Sequence, residues 1–176
     1  MLLLSGSVCA AQPATTPPPI EQRQADCARP QYASDGLVCG DAELTMLDAE
    51  VAGLALATPA LAEGAIWEDQ AAWFRRRGRC AFEADHRGCL AAAYADRRSV
   101  LMAAAAPSTG PLTCTGPWRG RNLAASRVAP GRPVTIRENG RLLGVATQGR
   151  GGWKPTLAWR AAGRGSALRG PDGATC

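Results

Sequence analysis

The sequence predicts an α+β protein: an N-terminal disulfide-stapled helical bundle followed by a small antiparallel β-barrel-like domain. Between Asp41 and Met102, apolar residues recur at three- and four-residue spacing, which is typical of amphipathic helices. From Leu112 onward, the chain is rich in glycine and alternates in polarity over short segments, as strands do. Residues 104–111 contain Pro107, Gly110 and Pro111, so we expect a linker between the two patterns.

The first residues look like the end of a secretory signal. Residues 1–11 (MLLLSGSVCAA) join a short apolar run to small residues that suit signal-peptidase cleavage, although no positive charge precedes the run. A lipoprotein with Cys9 as its lipidated residue is the alternative, but Val8 is a poor residue before such a cysteine. Residues 12–26 predict a disordered, proline-rich leader. No later stretch has the roughly 20 apolar residues of a membrane span, so we expect a periplasmic or secreted protein.

Cysteine usage agrees with export. Cleavage removes Cys9 and leaves six cysteines, an even number that indicates three disulfide bonds in an oxidising compartment. Many pairings of six cysteines are possible, and spacing alone does not select one. A metal site has little support because the chain has no Cys-x-x-Cys motif and His86 is its single histidine. We expect neither metal nor cofactor.

Residues 27–103 are the predicted helical domain. Cys27–Gly40 is rich in turn-forming residues and predicts a loop. Asp41 suits the N-cap of a first helix, which stops near Thr58-Pro59. Two further helices are predicted over Ile66–Arg77 and Leu90–Met102. Their apolar stripes contain Ile66, Gln70, Trp73 and Arg77, and Leu90, Tyr94, Arg97 and Leu101. Cys80 and Cys89 bracket the connection and either staple this hairpin or anchor it upstream.

Residues 112–176 are the predicted β-domain. Six short segments have strand-like alternation: Leu112–Thr115, Asn122–Val128, Pro133–Arg137, Leu142–Thr147, Thr156–Ala161 and Ser166–Arg169. Asn139-Gly140 predicts a type I′ hairpin turn. Cys114 and Cys176 lie at the two ends, and a bond between them would stabilise so small a domain by roughly 3–5 kcal/mol.

Charge divides along the same boundary. Residues 112–176 hold ten arginines and Lys154 against Glu138 and Asp172, a net charge of +9. The remainder holds nine basic and thirteen acidic residues, a net charge of −4. The two halves are therefore expected to attract different partners.

The sequence contains no convincing motif for catalysis or for nucleic-acid binding. The basic run Arg75-Arg76-Arg77 suits a helix C-terminus, where positive charge is favourable. Glu68 and Asp69 are helix neighbours that point about 100° apart, unlike the facing carboxylates of glycosidases. His86 accompanies no Gly-x-Ser-x-Gly motif and no free cysteine in the mature chain. We expect a protein that is not an enzyme and does not bind nucleic acid.

A glycine-rich loop is the best candidate for partner binding in the second half. It consists of Gly149, Arg150, Gly151, Gly152, Trp153 and Lys154, a cationic tip around one large aromatic side chain. The alternative is a long hairpin connection whose Trp153 folds back onto the domain. We add Arg160, on the following segment, to the candidate site.

The first half resembles the LprI-like lysozyme-inhibitor N-terminal family of small exported helical domains. The ordered pattern comprises Cys27, Cys39, Asp41, Glu43, Leu44, Leu47 and Asp48, then Gln70, Trp73, Arg77, Cys80, Cys89, Leu90, Tyr94 and Arg97. It spans about residues 27–101. We interpret Gln70, Trp73, Arg77, Tyr94 and Arg97 as scaffold, and we favour the local disulfides Cys27–Cys39 and Cys80–Cys89 together with Cys114–Cys176.

The second half is more faintly similar to the membrane-bound inhibitor of C-type lysozyme family, an eight-stranded barrel closed by a disulfide. The matching positions are Trp153, Leu157, Trp159, Ala162, Gly163, Ala167, Leu168 and Cys176. Gly149 and Ala162 stand where that family has the serine and lysine taken to engage the lysozyme active site. The resemblance does not carry those two contacts to this chain.

Together the resemblances imply an exported protein that binds and occludes a lysozyme, of C-type. Because C-type lysozymes are strongly cationic, the helical half with its charge of −4 is the expected docking surface. The alternative is a non-catalytic envelope-binding module that uses the arginine-rich second half on anionic wall polymer or lipid.

Overall fold

The computed structural model describes residues 22–126, 132–148, 157–162, 165–170 and 173–176. These contain four α-helices and seven β-strands, so the α+β class is confirmed. The helices are α1 (Ala33–Cys39), α2 (Ala42–Leu56), α3 (Gln70–Arg77) and α4 (His86–Ala104). The strands are β1 (Leu61–Ile66), β2 (Gly110–Leu112), β3 (Leu123–Ala125), β4 (Val134–Glu138), β5 (Arg141–Ala146), β6 (Ala158–Ala162) and β7 (Gly165–Arg169).

Aspartate side chains fix where three of the helices begin. The Asp41 carboxylate accepts the backbone N–H groups of Glu43 at 2.9 Å and Leu44 at 3.1 Å, so its predicted N-cap role is confirmed. Asp69 and Asp85 cap α3 and α4 in the same way. The acceptors satisfy amide groups that have no partner inside the helix.

Two predicted boundaries in the first half are wrong. Cys27–Gly40 is not all loop, because α1 occupies its second part. The sequence of α1 has a weak intrinsic helix propensity, but its Asp35 is fully buried in the core, and this tertiary contact stabilises the helix. The helix predicted from Ile66 begins only at Gln70. Ile66 instead ends β1, which runs parallel to β5 with Ile66 opposite Gly144.

β1 of the first half joins four strands of the second half in one mixed sheet in the order β1-β5-β4-β3-β2, and β6 and β7 form a separate hairpin. The turn between β4 and β5 has positive φ angles at Asn139 (48°) and Gly140 (80°), as a type I′ turn requires. The sequence predicts a barrel-like domain, and the described strands form a sheet that does not close into a barrel. β1 occupies the edge of β5, and β6 reaches that edge through a single bridge between Thr147 and Ala158.

Side chains from both halves meet between α4 and the sheet. Val100 and Ala104 of α4 form a small buried cluster with Leu142 and Val145 of β5. Arg137 donates to the carbonyl oxygens of Ala104, the last residue of α4, at 2.8 Å and of Ala106 at 3.2 Å. Arg141 donates to the Leu61 carbonyl of β1 at 2.7 Å. Helices and sheet are therefore joined by apolar packing and by arginine hydrogen bonds.

Three disulfide bonds join Cys27 to Cys39, Cys80 to Cys89 and Cys114 to Cys176. These are the pairs favoured by the sequence analysis. The first two close short segments of the helical half, and the third joins the segment after β2 to the final residue. Within the described ranges, no helix combines the length and the apolar character needed to cross a bilayer.

Gly144 of β5 lies close to both Ile66 of β1 and Leu157, so a larger residue at this position should destabilise the chain. A Cβ at Gly144 would lie 2.8 Å from the Ile66 carbonyl oxygen and 2.4 Å from Leu157 Cδ1. Gly144→Ala should therefore destabilise the chain by about 1–3 kcal/mol through overpacking, measured by urea unfolding. Gly110→Ala on β2 is the matched control, because nothing lies within 4 Å of the added methyl group. Equal stability of the two variants would contradict this account of β5.

Candidate functional site

A buried arginine lies at the centre of the helical half. Arg77 is 1% exposed, and Nη2 donates to Asp35 Oδ1 at 3.2 Å and to Ser34 Oγ at 3.4 Å. Its Nη1 donates to the Tyr94 hydroxyl and lies 3.5 Å from Asp48 Oδ1. The Tyr94 hydroxyl in turn donates to Asp48 Oδ1 at 2.6 Å. We call Arg77, Asp35, Asp48, Tyr94 and Ser34 the Arg77 cluster.

Backbone amides satisfy the outer oxygens of both carboxylates in the Arg77 cluster. Asp48 Oδ2 accepts the N–H of Ala25 at 2.8 Å. Asp35 Oδ2 accepts the N–H groups of Gln31 and Tyr32, each at 3.3 Å. The cluster thereby fastens the segment before α1, as well as α1 and α2, to α3 and α4. Burial raises the pKa of Tyr94, so its hydroxyl keeps the proton that it donates.

A second arginine packs beside this cluster. The Arg97 guanidinium lies 5.4 Å from the Trp67 ring centre and 5.8 Å from that of Trp73. It donates to Gln70 Oε1 at 3.2 Å and to the Glu68 carbonyl at 3.0 Å. Burial lowers the pKa of Arg97 to about 10, which leaves it charged at neutral pH. Arg97 therefore holds the connection between β1 and α3 against α4.

The five residues interpreted as scaffold thus lie together. Trp73, Arg77, Tyr94 and Arg97 are each at most 3% exposed, and Gln70 bridges Arg97 to the Arg23 carbonyl. Side chains so deeply buried are not available to contact another protein. Recognition must therefore be carried by residues on the surface.

The exposed loop between Cys80 and Cys89 is one such surface. Its first residues complete a short 3₁₀ helix, Gly78–Phe82, that begins just before Cys80, and Phe82 at the end of that helix is 87% exposed. Glu83 and Asp85 follow and are also exposed. We call residues 80–89 the stapled loop.

An acidic patch adjoins the stapled loop. α2 carries Glu43 and Glu50 on its exposed side and has no basic residue. Arg87, at the end of the stapled loop, pairs with Asp41 at 2.8 Å and with Glu43. The Leu44 N–H and Arg87 hold the pKa of Asp41 below its usual range, so the carboxylate stays ionised. The stapled loop and the start of α2 form one continuous surface.

Two cavities lined by described residues adjoin the helical half. An open groove of about 890 Å³ runs between α2, α4 and the sheet and has Glu50, Arg98 and Arg132 among its lining residues. A smaller cavity of about 300 Å³ is lined in part by Trp67 and Arg97. In the described part of the chain, no group of three His, Cys, Asp or Glu side chains has the arrangement of a metal site.

The structure places the sequence-predicted residues unequally. Gly149, Arg150, Gly151, Gly152, Trp153 and Lys154 lie outside the described residues, as do residues 1–21 with Cys9. Arg160 lies on β6, but its side chain is outside the described set. This candidate site stays a prediction.

Sequence reasoning missed Asp35 and Phe82. Asp35 reads as a turn residue in Tyr-Ala-Ser-Asp-Gly, and no local pattern pairs it with an arginine 42 positions later. Phe82 carried a usable signal, because it is a large apolar residue within a short charged connection between two cysteines.

The chain is similar to lipoprotein LprI. For the Mycobacterium tuberculosis protein, 37% of residues are identical over 109 residues, which cover 58% of this chain and 53% of the relative. LprI of Mycobacterium bovis gives the same values. The chain therefore spans about half the length of the curated relatives it matches. No protein-family model matches, and no solved structure matches significantly.

The similarity to LprI confirms the resemblance indicated by the ordered motif of the first half. It does not address the fainter resemblance of the second half to the membrane-bound inhibitor family, which stays a prediction. In the structure, the LprI-like motif forms the Arg77 cluster, the Arg97 contacts and two of the disulfides. The ordered motif thus consists largely of residues that form the framework of the helical half.

Removing the buried Arg77 charge should destabilise the helical half far more than removing the charge of an exposed arginine. Arg77→Met leaves Asp35 and Asp48 buried without their cation and should lower the free energy of unfolding by about 3–5 kcal/mol. Arg98→Met is the matched control, since the Arg98–Glu50 pair is exposed and worth at most about 1 kcal/mol. Chemical unfolding followed by circular dichroism measures both values. A loss for Arg77→Met no larger than for Arg98→Met would refute the central role of the cluster.

Proposed function

We propose that this chain is an exported, non-catalytic protein that binds and occludes a C-type lysozyme through its helical half. The observation that carries the proposal is the ordered LprI-like motif, supported by 37% identity to lipoprotein LprI. The helices that this motif holds together carry the exposed acidic patch on α2. Export is supported by the three disulfides and by the word lipoprotein in the name of the relatives.

Charge favours the helical half as the docking surface. Residues 1–111 carry a net charge of −4, and α2 presents exposed Glu43 and Glu50, which pair with Arg87 and Arg98 of α4. A strongly cationic lysozyme would be steered toward this surface, while the second half with its charge of +9 would be repelled. Occlusion needs no reacting group from this chain, because filling the cleft suffices to exclude the substrate.

The test is turnover of a C-type lysozyme titrated with the purified full chain. We expect inhibition that weakens with added salt, because screening removes the steering. The double variant Glu43→Gln/Glu50→Gln should associate several-fold more slowly at low salt and match the unaltered chain at high salt. Unchanged turnover at tens of micromolar protein would exclude inhibition of that enzyme.

A second candidate function, binding to anionic wall polymer or lipid, is favoured by one observation. Arg119, Arg132 and Arg169 are exposed on the strand-rich half. The full chain would then co-sediment with purified cell walls or anionic vesicles at low salt and be released at high salt. Absence of binding at low salt would rule this candidate out.

A further inference from the structure

We infer that Phe82 is the anchor by which the stapled loop enters an apolar cleft in a cationic protein partner. This inference rests on the proposed function and gives it a contact residue. The observation behind it is the combination of an exposed aromatic ring, a covalently closed loop and acidic neighbours. Each of these bears on binding in a different way.

The exposure of Phe82 has no explanation within the described part of the chain. At 87% it is the most exposed of the large apolar side chains described there. Tyr32, the other exposed aromatic residue, packs its ring against Phe74 at 6.0 Å. The Phe82 ring therefore retains nearly all its apolar area for burial by a partner. Buried aromatic side chains commonly dominate the affinity of protein interfaces.

The stapled loop holds Phe82 in place before binding. Cys80 is 4% exposed and bonded to Cys89 of α4, so the start of the loop is fixed in the core. The Glu83 N–H donates to the Cys80 carbonyl at 3.2 Å, directly after the ring. At the far end, Arg87 is paired with Asp41 and Glu43 of the acidic patch. A pre-organised loop loses little conformational entropy on binding, so more of the contact energy appears as affinity.

Charge selects the class of partner. Exposed Glu83 and Asp85 follow Phe82 closely in the chain, and Asp41 and Glu43 lie at the other end of the loop. With Arg79 and Arg87 counted against these four carboxylates, the surroundings of Phe82 have a net charge of −2. Two carboxylates so close to Phe82 in the chain oppose insertion into an anionic membrane and favour a positively charged protein surface.

The experiment measures binding of the full chain to a C-type lysozyme by calorimetry at low salt. Phe82→Ala should weaken binding about thirtyfold, equivalent to about 2 kcal/mol, and Phe82→Leu should weaken it less. Leu56→Ala is the matched control, because Leu56 is 80% exposed at the far end of α2. Its affinity should stay within about twofold. All variants should unfold at the same temperature, since the altered side chains are exposed.

The outcomes separate this inference from the proposed function. If the unaltered chain binds and Phe82→Ala binds as Leu56→Ala does, the anchor is refuted while lysozyme binding stands. If the unaltered chain does not bind lysozyme, the proposed function fails and the inference falls with it. The same variants are sedimented with vesicles of phosphatidylcholine and phosphatidylglycerol. Loss of vesicle binding in Phe82→Ala, with lysozyme binding unchanged, would instead identify a membrane contact and overturn the inference.

Discussion

The interaction on which the helical half depends is the buried contact between Arg77 and two aspartates on two other helices. A guanidinium without solvent is stable only when its donors meet acceptors of opposite charge, and Asp35 and Asp48 supply them. These aspartates also accept hydrogen bonds from backbone N–H groups of the segment before α1. One charged centre therefore orders four helices and the irregular segment that precedes them. Apolar packing alone would leave their mutual rotation less well defined, since alanine is abundant on these helices.

A second constraint joins the two halves through the backbone. β1 lies between two helices in sequence but pairs with β5 of the sheet, so the boundary in composition near residue 104 is not a boundary in hydrogen bonding. Arg137 and Arg141 reinforce this arrangement by donating to carbonyls of the first half. Part of the arginine content of the second half therefore has a structural use.

The sequence predicts this fold to the extent that local signals decide it. Helical periodicity and the Asp41 cap locate α2, and periodicity locates most of α4, which begins four residues before the predicted Leu90. Alternation in polarity and the Asn139-Gly140 turn indicate the strands of the second half, although β2 overlaps its predicted segment only at Leu112. These signals succeed because each acts over a few residues. α1 and β1 escape prediction for the opposite reason. Asp35 is buried by an arginine far along the chain, and β1 owes its strand to the free edge of β5. The same limit applies to the site, where the motif residues were identifiable but the exposure of Phe82 depends on how the core closes around Cys80.

Only a very short segment of the chain separates the Arg77 cluster from the exposed Phe82. Arg77 is the last residue of α3, the 3₁₀ helix begins at the next residue, and Phe82 ends it. Fixing Arg77 by its two aspartates therefore fixes the direction in which the chain leaves α3, and the bond from Cys80 to Cys89 fixes the return into α4. The backbone that carries Phe82 is thus held on both sides. A buried charge cluster contributes little net stability compared with apolar packing. The Arg77 cluster also sets the orientation of the stapled loop that follows α3.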